Sequence, residues 1–140
     1  MNGPNFMLTG TISICAVLLL ASVASAQVHP IVGKWQWTRD VNNCAEVYEY
    51  RVDGSLHVVS GCEVCDNLYE ISANPDTNGC YELKGIMLKS NGGGDCSDSQ
   101  SNTVGKPYAI YVIFHRTEPL HLACFHPSLS RCFGPLQTVH

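Results

Sequence analysis

The chain is poor in charge, and poorest in positive charge. Only 14% of its 140 residues are Asp, Glu, Lys or Arg, and the eight Lys and Arg form no run. Binding anchored on nucleic-acid phosphates needs clustered cations, so no nucleic-acid partner is expected. No window of a dozen residues carries apolar side chains at a spacing of 3.6, which argues against amphipathic helices. Nucleophile elbows, a Ser/His/Asp order and suggestively spaced carboxylate pairs are all missing, so nothing supports triad or paired-acid chemistry. The expectation is a non-enzymatic protein with no cofactor and no metal. Its 45% hydrophobic content sets it apart from disordered tails. Its length suits one domain.

Charged side chains are absent altogether from residues 1–26, which contain the apolar run Ile12 to Val23 followed by Ala24-Ser25-Ala26. A short apolar run before an A-x-A site reads as a secretory signal peptide, although Met1 to Gly10 lacks the usual Lys or Arg. The run is short for a membrane span, which needs about 20 apolar residues. Cleavage before Gln27 leaves a domain of residues 27–140, secreted or periplasmic, with no stable membrane span. Cys15 falls within the removed segment.

Seven cysteines remain: Cys44, Cys62, Cys65, Cys80, Cys96, Cys124 and Cys132. In an exported chain of this size they read as a disulfide framework in which six of the seven pair. The odd thiol is then free, or links two chains into a dimer. Cys62 and Cys65 are close enough to bridge locally, and Cys124 and Cys132 to clip the C-terminal segment. Cys62-Glu63-Val64-Cys65 has the spacing of a redox or zinc pair, but it lies between two expected strands and has no second pair.

The rest reads as short strands and turns. Trp35 to Thr38 places Trp35 and Trp37 on one face, and Ala45 to Val52 places Tyr48 and Tyr50 opposite Glu49 and Arg51. Asp53-Gly54 then signals a hairpin. A two-residue loop would mix the faces. A three-residue loop, Val52-Asp53-Gly54 with Gly54 in a left-handed bulge, pairs Tyr50 with Leu56 and Tyr48 with Val58 on one apolar face. Leu68 to Ser72, Cys80 to Lys84 (with Ile86 to Lys89 continuing it or bending at Gly85), Tyr108 to His115 and Leu120 to Phe125 supply further strands. Cys132 to Leu136 adds a short edge piece. About seven short strands joined by short turns predict an all-β domain, an antiparallel barrel or barrel-like sandwich stapled by disulfides.

Gly33-Lys34-Trp35, opening the first strand, resembles the G-x-W element of lipocalin-like barrels. That resemblance implies a cup for a small apolar ligand, a Trp closing its base and a late Arg packed on that Trp, for which Arg131 is the candidate. Asp95-Cys96-Ser97 with Cys132-Phe133-Gly134-Pro135 resembles small exported bacterial proteins of unassigned function. The lining expected for a lipocalin-like cup is Trp35, Tyr48, Tyr50, Leu56 and Val58. A second reading is a secreted interaction protein, a protease inhibitor or effector, whose protein partner meets the Ser90 to Asn102 loop on a rigid frame. The third is a hydrolase built on His115, His121 and Glu118, brought together across the Arg116 to Pro119 turn.

Overall fold

A computed structural model describes residues 27–100 and 102–140; the expected signal segment 1–26 lies outside the described residues. Eight strands form one closed antiparallel barrel in chain order: β1 (Gly33–Thr38), β2 (Ala45–Tyr50), β3 (Ser55–Ser60), β4 (Glu63–Ile71), β5 (Tyr81–Ser90), β6 (Pro107–Phe114), β7 (Leu120–Cys124) and β8 (Cys132–Thr138). Closure comes from β1 pairing with β8, Trp35 opposite Thr138 and Gln36 opposite Gln137, so no sheet edge is left open. No helix among the described residues is long and apolar enough to cross a membrane.

The β2–β3 hairpin has the three-residue loop that the alternation demanded. Tyr50 faces Leu56 and Tyr48 faces Val58. The Gly54 N–H donates to the Arg51 carbonyl at 3.1 Å, and Arg51 N–H to the Ser55 carbonyl at 2.9 Å. Gly54 sits at φ 82°, where a side chain would be strained. A slip of one residue would turn both tyrosines out to solvent.

Three elements differ from the sequence reading. β4 begins at Glu63 rather than Leu68, so Cys65 lies within a strand. Its inward residues Cys65, Asn67 and Tyr69 alternate with Val64, Asp66 and Leu68, so neither face reads as uniformly apolar. β5 runs unbroken through Gly85, because the Tyr108 ring on the next strand lies over that glycine. A Cβ there would stand 2.3 Å from Tyr108 Cζ. Cys132 to Leu136 belongs to a seven-residue strand that completes the barrel.

One end of the barrel is packed solid. The segment before β1 brings Ile31 under the sheet, where it is fully buried, and the Trp35 indole N–H donates to the Ile31 carbonyl at 2.7 Å. Leu83, Val112 and Leu136 fill the same region at 0–1% exposure. Phe114 lies 6.1 Å from Trp35 and 5.6 Å from Tyr81 between ring centres, and His29 meets Tyr81 edge-on at 4.9 Å.

Two disulfides are formed, Cys44–Cys96 and Cys124–Cys132, while Cys62, Cys65 and Cys80 are free. Four of the seven cysteines are paired, not six. Cys62 is exposed in the β3–β4 turn, whereas Cys65 points inward from β4 and is buried, so the local bridge does not form. Cys62 faces solvent from the turn before β4 while Cys65 faces the barrel interior from within the strand, which separates these two thiols. Cys80 is buried where β5 begins, at the other end of the β4–β5 pair from Cys65. The expected clip between Cys124 and Cys132 is present. Disulfides of this kind fit an oxidising compartment.

Candidate functional site

The opposite end of the barrel holds a cavity of about 460 Å³. Its wall is built in rows set by the strand pairing. Tyr50, Leu56 and Asn67 form the row nearest the packed base, and Tyr48, Val58 and Cys65 lie above it. Glu46, Ser60 and Glu63 form the row at the mouth. Met87, Tyr108, Ile110 and Phe133 close the other side, and Trp37, Arg39, Asp95 and Phe125 surround the opening. A row alternates with an outward one because strand side chains repeat every two residues.

Four of the five residues expected to line a cup do so: Tyr48, Tyr50, Leu56 and Val58. Trp35 does not. It sits one layer deeper, 4% exposed, packed against His121 with ring centres 4.4 Å apart. Arg131 does not reach that Trp either. Its guanidinium lies 5.8 Å from the Phe125 ring centre, and His121 occupies the place against the indole.

Burial dominates the protonation of the cavity groups. It pushes the Tyr48 and Tyr50 phenols up, helped at Tyr48 by the Glu46 carboxylate, and takes Tyr108 up to about 12. These phenols are therefore hydrogen-bond donors at neutral pH. Tyr48 donates to Glu46 Oε2 at 2.5 Å, and Tyr108 reaches Asn67 Oδ1 at a long 3.4 Å. The Tyr50 hydroxyl has no hydrogen-bond partner among the described residues. Burial, with Glu63 nearby, raises the Cys65 thiol to about 11, so it stays protonated and is a poor nucleophile.

From the Ser90 to Asn102 loop, Asp95 reaches the rim. The Cys62 N–H donates to the Gly94 carbonyl at 2.9 Å, Cys96 N–H to Ser60 Oγ at 3.0 Å, and Asn42 Nδ2 to the Cys96 carbonyl at 2.7 Å. Gly93 presses on Cys62 so closely that a Cβ would lie 2.3 Å from its carbonyl oxygen. Asp95 Oδ1 accepts from Ser97 N, Ser97 Oγ and Ser99 N, which occupies it within its own turn.

The histidines do not assemble. His121 faces the barrel interior at 1% exposure, while His115 N–H bonds the Leu120 carbonyl across the turn. His115 Nδ1 accepts from Glu118 N–H at 3.1 Å, so the exposed His115 shapes the turn. His121 lies inside the barrel whereas His115 and Glu118 are exposed in the turn between β6 and β7, so the three do not share a site. Among the described residues no group of three or more His, Cys, Asp or Glu is placed to hold a metal ion. Cys62-Glu63-Val64-Cys65 holds neither a bridge nor a metal cluster. Sequence reasoning missed Asn67, Tyr108 and the mouth carboxylates Glu46 and Glu63. The last two share strand parity with Tyr48 and Cys65, which was a readable signal.

Comparison with protein-family models, with curated proteins and with solved structures finds no match to this chain. What the fold and site define is a class: a small closed antiparallel barrel, packed at one end and hollow at the other.

Proposed function

We propose that this is an exported binding protein, lipocalin-like in plan, that holds a small molecule with an apolar body in the open half of its barrel. The observation that carries the reading is the 460 Å³ cavity walled by Tyr48, Tyr50, Leu56 and Val58. Its size falls in the range of about 300–1,000 Å³ usual for ligand pockets, and its walls are mainly apolar with a few polar groups, as such pockets are built. Small barrels can fill their interior with side chains; here only the base is filled. Export rests on the apolar run with its A-x-A site, and the two disulfides suit the compartment it leads to.

The test is the fluorescence of N-phenyl-1-naphthylamine, a neutral apolar dye, titrated with folded protein. Saturable enhancement is expected, abolished by Val58→Trp, which fills the cup from its middle row while the far-ultraviolet circular dichroism stays that of a barrel. A folded wild-type protein that leaves the dye in water overturns the proposal.

A further inference from the structure

The inner wall of the cup carries formal charge at one level only. The pairings Glu46 to Ser60 and Ser60 to Glu63 set two carboxylates in a single row across β2, β3 and β4, on the lumen side of the mouth. Tyr48 donates to Glu46 Oε2 at 2.5 Å, Ser90 Oγ donates to Glu63 Oε1 at 3.0 Å, and the Cys65 thiol also lies against Glu63. The second oxygen of Glu46 has no side-chain donor among the described residues. Arg39 is the single cationic side chain among the residues lining the cavity, and its guanidinium lies 5.8 Å from the Trp37 ring centre at the opening. Asp95 stands beside it at the rim. Burial pushes that carboxyl up, but the bonds from Ser97 and Ser99 and the charge of Arg39 bring it below its ordinary value. The mouth therefore has three carboxylates against one guanidinium.

Aromatic faces lie just inside that ring. Trp37 and Phe133 stand 5.5 Å apart, and Tyr48 lies 6.2 Å from Phe133. Aromatic π-faces attract organic cations, more strongly where water is excluded. Lower in the cup the Tyr50 side chain, 3% exposed, faces the lumen with its hydroxyl unpartnered among the described residues. A bound molecule carrying an acceptor can take the hydrogen bond that this hydroxyl offers.

We infer that the ligand is an amphipathic organic cation, its ammonium group held between Glu46 and Glu63 against the Tyr48 and Phe133 faces and its apolar body in the cup. This rests on the cup reading and adds the head group to it. A neutral apolar molecule uses the walls alone, and a carboxylate meets the acidic row.

Displacement of N-phenyl-1-naphthylamine by decyltrimethylammonium, decanol and decanoate separates the two levels, because the three share a tail and differ in head group. The expected order is ammonium first, by about tenfold over the alcohol, with the carboxylate weakest. In Glu46→Gln/Glu63→Gln, whatever its affinity for the dye, the ammonium should fall to the affinity of the alcohol, read as the ratio of the two. If that variant does not fold, the wild-type preference should shrink as NaCl rises from about 0.05 to 0.5 M, through screening. Dye binding with no preference, or with decanoate ahead, overturns the cation and leaves the cup standing. Failure of both the dye and decyltrimethylammonium to bind overturns both.

Discussion

Acid should loosen this barrel from its base, through His121. Both ring nitrogens of His121 are buried without a partner, Trp35 stands edge-on at 4.4 Å, and Phe114 lies 5.4 Å away. Burial alone brings its pKa from 6.5 to about 4. The folded state therefore takes up this proton later than the unfolded chain does. The contribution is fully present above pH 6.5 and is lost as the pH falls toward 4. At 1.36 kcal/mol per pH unit, the loss is about 2 kcal/mol by pH 5 and about 3 kcal/mol by pH 4. With a urea slope of about 1–3 kcal/mol/M, the midpoint should fall by about 1–3 M between pH 7 and pH 4. His29, which burial also shifts down, acts with the same sign. The lowered carboxyls of Asp53, Asp66 and Asp95 lose their contributions only below their ordinary values, at the acid edge of this window. Urea unfolding followed by tryptophan emission from pH 4 to 8 measures the effect. His121→Leu should flatten most of it, and NMR titration of the His121 ring in the wild-type protein should find the proton binding near pH 4. A ring titrating near 6.5, or an acid limb unchanged in His121→Leu, refutes the reasoning.

The thiol count is equally direct. Alkylation of unfolded, unreduced protein comprising residues 27–140 should add three labels, whereas the same protein in its native state should take one, at exposed Cys62; a single label after unfolding would mean a third bridge. Gly85→Ala should cost about 1–3 kcal/mol and weaken dye binding, because the new Cβ meets Tyr108 Cζ at 2.3 Å and drives the ring into the lumen. Unchanged melting and unchanged dye affinity would show that the ring does not lie over Gly85.

Period-two patterning made most of the fold legible. Tyr48 and Tyr50 against Leu56 and Val58 determine a register as well as two strands, since only the bulged loop keeps all four inside. The start of β4 was harder to read, because its inward row is Cys65, Asn67 and Tyr69 while Val64 and Leu68 point out. A strand whose polar atoms face a cavity loses the contrast that identifies strands. The bridges were legible only in part for a related reason. Spacing suggested Cys62 with Cys65, but the direction of a side chain depends on where the strand begins, and Cys44–Cys96 spans 52 residues that fold across the mouth.

The site shows where alternation stops being informative. Trp35 and Tyr48 are paired across β1 and β2 and both face inward, yet one is sealed in the base and the other borders open space. The barrel tilts its strands, so residues in one hydrogen-bonded row stand at different depths along the axis. Depth, not facing, separates core from cup. Depth is fixed by what plugs the end: Ile31 arriving before β1, and His121 meeting Trp35 from β7, 86 residues away in the chain. An inward histidine and an N-terminal isoleucine carry no local mark of that role. The same tilt puts Glu46 and Glu63 at the mouth, where two inward carboxylates need not be buried, and makes them compatible with the parity that places aromatics below them. An inward charge on a barrel strand is thus a marker of the open end, and in the proposed reading two in one row mark the side from which a ligand would enter.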